Sequence, residues 1–164
     1  MILAAAILGL VTLQRLGELV LSRRNTERLL AQGAREAAPG HYPLIVALHA
    51  AWLVGLWYLA VWRADVGVSW GWLAVFAILQ GLRLWVLATL GPRWTTRIIV
   101  LPGAPLLRDG PYRFVSHPNY CIVAAEILVL PLCFGLVWYG IVFSVLNAVV
   151  LWIRIRAEQA ALRQ

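Results

Sequence analysis

The sequence predicts an all-α, polytopic integral membrane protein of about five transmembrane helices, the last two forming a tight helical hairpin. Three observations lead there. Of 164 residues, 62% are hydrophobic and 13% charged, whereas an ordinary soluble domain is apolar over about half of its residues. The apolar residues fall in runs long enough to cross about 30 Å of hydrocarbon. The 14 basic residues are all Arg, and most lie in alternate connectors between those runs, the bias by which a polytopic chain is oriented.

The first run is Ile2 to Leu21. It contains Arg15 and Glu18 and has no basic segment in front of it, so it reads as a retained span and not as a signal peptide. Pro43 to Trp62 and Trp70 to Leu90 are the second and third. Pro118 to Ile155 is too long for one span, and Pro131 with Phe134-Gly135 divides it into a fourth and a fifth. Arg23, Arg24, Arg28 and Arg35 follow the first run, Arg93, Arg97, Arg108 and Arg113 the third, and Arg154, Arg156 and Arg163 the fifth, with only Arg63 on the opposite side. Residues 22–42, 91–117 and 156–164 are therefore expected in the cytoplasm, with the N-terminus outside and the C-terminus inside. The net charge of +7 is explained by this placement, without a basic tail or domain that would suit nucleic acid. Cys121 and Cys133 lack the spacing of a zinc or redox site and read as packing residues.

The connector from Gly91 to His117 is long and rich in Gly and Pro, a pattern of functional loops. Its apolar Ile98 to Leu101 and Leu106-Leu107 predict that it folds back on the helix ends. It runs into Gly110-Pro-Tyr-Arg-Phe-Val-Ser-His-Pro-Asn-Tyr120, which enters a span with polar, aromatic and turn-forming groups together. Pro118 suits a first helical turn whose free N–H groups can receive an anionic group. The same run also reads as a polar helix start at the interface, with Tyr112 and Tyr120 as belt aromatics. Arg154 and Glu158 share a helix face, as a surface ion pair or as part of a site. Arg15, Glu18, Gln80, Arg83, Glu126 and Asn147 are costly in lipid and must face the bundle interior. There they line a pocket or pair with one another, as Arg83 could with Glu126. His41 and His49 have no third ligand, so no metal site is expected.

The run GPYRFVSHPNY, with Glu126, Pro131-Leu132 and Arg154-Ile-Arg-Ala-Glu158 after it, resembles the isoprenylcysteine carboxyl methyltransferase family. The resemblance is clear over Leu106 to Leu162, with support from Arg83 to Trp94 and His41-Tyr42-Pro43. It implies one transmembrane methyltransferase domain over residues 1–164, with the cofactor region at about residues 104–162. It also implies S-adenosylmethionine as cofactor, walled by Leu106, Leu107, Tyr112, His117, Pro118, Asn119, Tyr120 and Glu158. The catalytic residue implied is Arg154, which with Glu126 meets the acceptor. Ser116 stands where the family usually has Arg and Gln159 where a second Glu is frequent; Arg113 is a candidate to replace the first charge. HPNY with a Glu six residues on looks most like the small bacterial members that methylate hydroxyl groups of alkylpyrones and alkylresorcinols, which implies a bacterial inner-membrane protein.

The partners implied are a lipophilic small molecule and membrane lipid, with no nucleic acid. A prenylcysteine-like carboxylate is the alternative acceptor. NADPH-dependent sterol reductases carry a similar HPNY element but are much larger, and a non-enzymatic scaffold would leave the clustered GPY and HPNY residues without a cause. Five spans take about 100 residues, which leaves no room for a soluble Rossmann domain, and there is no GxGxxG to begin one. A cofactor must then bind at the ends of the helices.

Overall fold

The structure is a computed structural model that describes residues 2–62, 67–105 and 107–162. Leu106 of the expected cofactor wall, and Arg63 and Arg163 of the charge pattern, lie outside the described residues. The chain forms α1 (Ile2–Ala31), α2 (Tyr42–Trp62), α3 (Trp70–Leu90), α4 (Pro118–Cys133) and α5 (Val137–Leu162), with a two-residue antiparallel pair of β1 (Arg35–Glu36) and β2 (Ile99–Val100). The all-α polytopic class holds. Among the described residues, four helices are long and apolar enough to cross a membrane, while α4 has 16 residues and rises only about 24 Å. Two ends differ from the hydropathy boundaries: α1 continues past Leu21 to Ala31 and α5 past Ile155 to Leu162. Hydropathy reports where hydrocarbon ends, but Arg, Glu, Gln and Leu keep a helix going in water, and α1 stops only ahead of Gly33.

The break between α4 and α5 falls where the sequence puts it, and its hydrogen bonds say why. Gly135 takes φ 70°, a conformation that costs a residue with a Cβ but not glycine. Around it the Leu136 N–H donates to the Pro131 carbonyl (3.0 Å) and the Gly135 N–H to the Leu132 carbonyl (3.1 Å), the paired bonds of a Schellman cap. Pro131 sits inside the last turn of α4 and has no N–H to give the Ile127 carbonyl one turn back. The indole N–H of the buried Trp52 on α2 donates to that carbonyl instead, at 3.2 Å. The gap left by proline thus becomes a tie between α2 and α4, inside a core that includes Leu8, Leu56, Ile127 and Leu130.

The hairpin is level with the start of α3, because the Ser69 N–H donates to the Cys133 carbonyl at 2.8 Å. From that level α3 runs toward the arginine-rich end over 21 residues, and α4, running the opposite way, reaches back toward that end over only 16. The first turn of α4 therefore begins roughly 7 Å short of where α3 ends. A recess is left at the mouth of the bundle. The α3–α4 connector covers it and is tied to the extension of α1: Asn25 Nδ2 donates to the carbonyls of Trp94 (2.8 Å) and Gly91 (3.2 Å), and the Ser22 hydroxyl meets that of Thr96 (2.8 Å). The fold-back expected of this connector is completed by the β1–β2 pair and by Arg97 Nη1 donating to Glu36 at 2.8 Å.

Beneath the recess lies an ionic layer about two turns in from the arginine-rich helix ends. Arg83 of α3 grips Glu18 of α1 with Nε (2.6 Å) and Nη2 (2.5 Å), and reaches Glu126 of α4 with Nη1 (3.0 Å). Arg15 donates to Glu126 (2.7 Å) and to Glu18 (3.2 Å), and Gln80 donates to the other Glu126 oxygen (2.7 Å). The pairing of Arg83 with Glu126 expected from sequence is present, within a larger network. Removing one member of a buried, hydrogen-bonded set leaves the others charged and unpaired, at a cost of about 3 to 5 kcal/mol. Arg83→Leu should lose about that much in equilibrium unfolding in detergent, whereas Arg23→Ala, which breaks only the exposed Arg23–Glu27 pair, should be close to neutral. Similar losses in both variants would show that the layer does not hold the helices.

Candidate active site

The first turn of α4 lies in the recess, with Pro118 buried and Asn119 and Tyr120 half-buried. Pro118 is its first residue and has no N–H, the Tyr120 and Cys121 N–H groups donate to the His117 carbonyl at 3.1 and 3.3 Å, and no side chain caps the His117 end. The His117 ring stacks on Tyr120, with centroids 5.1 Å apart and planes 8° from parallel. Tyr120 projects toward α5 and joins its two charged residues. Its hydroxyl donates to Glu158 Oε2 at 2.5 Å and accepts from Arg154 Nε at 2.8 Å. His117 Nδ1 lies 3.9 Å from the same Glu158 oxygen. Arg154 and Glu158, read from sequence as a possible direct pair, are thus bridged by a phenol from another helix. Arg154 is buried, and a quarter of the Glu158 side chain is exposed.

Tyr112 is brought to the same cluster by a 3-10 turn at Gly110–Arg113. Gly110 holds φ 55°, and a Cβ there would come within 2.6 Å of the Thr89 hydroxyl on the last turn of α3. Only glycine permits both the backbone shape and the close passage. Burial and the negative charge of Glu158 push the Tyr112 phenol up to about 12. It remains a neutral donor over the physiological range. Leu107 lies half-buried in the connector, while Arg113, Ser116 and Gln159 are exposed.

Beside this cluster a cavity of about 310 Å³ runs between α1, α2 and the α4–α5 pair. Tyr120, Asn119 and Arg154 line one end, and Arg15, Glu18 and Arg83 of the ionic layer line the other. Its walls are mostly apolar. Leu16, Leu19 and Val46 line it and are also exposed on the outside of the bundle at 54%, 43% and 43%, which opens the cavity sideways between α1 and α2. Asn119 Oδ1 and Trp94 Nε1 are buried at its margin without a partner among the described residues. These orphaned groups, the uncapped helix start and the part-exposed Glu158 fit the amine, hydroxyl and carboxylate groups of S-adenosylmethionine.

Glu126 is placed differently from expectation. It is fully buried, both its oxygens are engaged by Arg15, Gln80 and Arg83, and it is not a wall of the cavity. Two guanidinium groups beneath the cavity, those of Arg15 and Arg83, hold it in the ionic layer. Ser22, Asn25 and Trp94, which carry the roof, were not singled out by the sequence. They lie beyond or beside the hydropathy boundaries, and their bonds are made to segments distant in the chain.

Residues 72–164 match the isoprenylcysteine carboxyl methyltransferase (ICMT) family, a stretch that takes in most of α3, the connector and the α4–α5 hairpin. The chain is 37% identical over 161 residues to the uncharacterized protein YpbQ of Bacillus subtilis, covering 96% of this chain and 95% of that one. It is 24% identical over 160 residues to an uncharacterized protein of Haemophilus influenzae, covering 90% and 88%. No solved structure matches it.

The Tyr112 phenol gives a pH test of the cluster. Its folded value, about 12, lies above the ordinary 10, so its contribution to stability is complete below pH 10 and is lost as pH rises through 12. Unfolding followed across that window should show stability falling, and Tyr112→Phe should remove that part of the slope. An unchanged slope in the variant would mean that Tyr112 is neither buried nor held near the Glu158 charge as described.

Proposed function

Because this chain belongs to the isoprenylcysteine carboxyl methyltransferase family, we propose that it transfers the methyl group of S-adenosylmethionine to a phenolic or enolic hydroxyl of a lipophilic acceptor. The observation that carries this reading is the Arg154–Tyr120–Glu158 cluster at one end of a cavity that opens to the lipid. When bound, the cofactor supplies a methyl group already activated by its sulfonium. Leu107, Tyr112, His117, Pro118 and Asn119 form its wall, and Glu158 accepts hydrogen bonds from its polar groups. The connector with Trp94 covers the recess and excludes water. Arg154 faces the acceptor. Its permanent charge favours the ionised oxygen and lowers the acceptor's pKa toward the working pH, and its bond to Tyr120 fixes where that charge points.

An alkylresorcinol or alkylpyrone type of lipid suits this arrangement. Its tail stays among Leu16, Leu19 and Val46 while its head reaches Arg154. The arginine-rich end faces the cytoplasm, where the cofactor is, in a bacterial inner membrane.

Calorimetric titration with S-adenosylhomocysteine tests the site. Glu158→Ala is expected to weaken binding by about tenfold or more, the value of a charge-assisted hydrogen bond, with the fold retained. Unchanged affinity in both Glu158→Ala and Tyr120→Phe would remove the site. The acceptor class shows in the pH profile of single-turnover methylation. A hydroxyl acceptor gives a rate that rises with pH as it ionises, whereas a prenylcysteine-like carboxylate gives one nearly flat above about pH 6. Methylation of a farnesylcysteine analogue alone would turn the assignment to the carboxylate, and full activity in Arg154→Ala would end the role given to the arginine. For the orientation, a cysteine introduced near Asp109 should resist an impermeant reagent added outside intact cells; labelling there would reverse it.

A further inference from the structure

The cavity has a second polar end that methyl transfer at Arg154 leaves unused. Asn147 of α5 lines it with 1% exposure, and neither Oδ1 nor Nδ2 has a partner among the described residues. A buried amide with no bond is costly, most of all among apolar helices in a bilayer, where such residues mark binding sites. Exchanging the two amide atoms would not relieve it, since both are orphaned. His49 of α2 lines the same cavity, with Nδ1 at 2.8 Å from the Ile45 carbonyl. A carbonyl only accepts, so Nδ1 carries the proton and Nε2 of the neutral ring is left as an acceptor. Arg15 and Arg83 close this end, but their guanidinium groups are committed to Glu18 and Glu126.

We infer that Asn147 and His49 form a recognition subsite for a second, neutral hydroxyl of the acceptor, separate from the oxygen methylated beside Arg154. This rests on the methyl-transfer reading above. A hydroxyl donates and accepts at once, which is what an orphaned amide and an imidazole lone pair together require. A carboxylate, ether or carbonyl only accepts, and would leave Asn147 Oδ1 and His49 Nε2 unpaired. Asn147 precedes Arg154 by two turns on the same face of α5, roughly 10 Å along the axis. A six-membered ring bearing two oxygens, with a hydrogen bond at each side, spans such a distance. The acceptor is then a ring with two hydroxyl groups, lying between Asn147 and Arg154, its tail leaving between α1 and α2. Of the two lipid types named above, this selects the alkylresorcinol, since the other oxygens of a pyrone are a carbonyl and a ring ether.

The test uses the full chain in lipid nanodiscs, radiolabelled S-adenosylmethionine, and two acceptors with the same tail: a long-chain alkylresorcinol and an alkylphenol that lacks the second hydroxyl. The wild type should prefer the resorcinol in kcat/KM by on the order of 100-fold, beyond the statistical advantage of its duplicate hydroxyl, since a site built to bond a hydroxyl rejects the analogue without it. Asn147→Leu should collapse that preference by slowing the resorcinol alone, with S-adenosylhomocysteine affinity unchanged, and His49→Phe should narrow it. A wild type indifferent to the second hydroxyl overturns the subsite without recourse to any variant. So does an Asn147→Leu protein that binds S-adenosylhomocysteine and keeps the full preference. Failure of the methyl-transfer reading looks different: the wild type would bind no S-adenosylhomocysteine and methylate neither compound, and the subsite would fall with it.

Discussion

The bundle depends on one buried guanidinium. Arg83 is held between Glu18 and Glu126, and with Arg15 it joins α1, α3 and α4 in a layer of two cations and two carboxylates. Charges inside a membrane protein are tolerated only when they neutralise each other and fill their hydrogen bonds. Arg suits the position better than Lys because its planar fork can bond Glu18 with two nitrogens and still reach Glu126 with a third. Apolar packing in lipid is weakly specific about which helix faces which. This layer supplies direction and register, and by closing one end of the cavity it determines how deep a ligand can go.

The recess above the layer follows from the length of α4. Its far end is fastened to the start of α3 through Ser69 and Cys133, so its missing turn must fall at the arginine-rich end. That places the polar start of α4 inside the outline of the bundle and under the connector, beside the cavity that Asn119 and Tyr120 line. In the proposed reaction the methyl donor would come from the aqueous side and the acceptor from the bilayer, meeting at this helix start.

Tyr120 links the two sides. Its phenol bonds Arg154 and Glu158, its ring stacks on His117, and Arg154 lies over the face of the same ring at 5.3 Å. A long, flexible arginine held by both the hydroxyl and the ring of one tyrosine has lost much of its rotamer freedom, and in the proposed reaction that would serve as preorganisation. The neutral Tyr112 beside Glu158 adds a donor without adding charge.

Hydropathy and arginine placement were enough to read the class, the number of helices and the hairpin, because each is local: a run of apolar residues, or a proline and a glycine at one turn. The cluster of Tyr120, Arg154 and Glu158 was legible as a motif, since its members keep short spacings within two segments. What joins them was not. Sequence offered Arg154 and Glu158 as a direct pair, and only the packing of α4 against α5 set a tyrosine between them. Glu126 looked like a residue that could meet the acceptor or pair with Arg83. Which of these it does depended on Arg15 and Gln80 arriving from two other helices. Asn147 and His49 were single polar residues on apolar faces, without a pattern of their own. They share a cavity only because α2 and α5 converge above the ionic layer, a relation between segments about a hundred residues apart in the chain, which local chemistry cannot express and long-range packing decides.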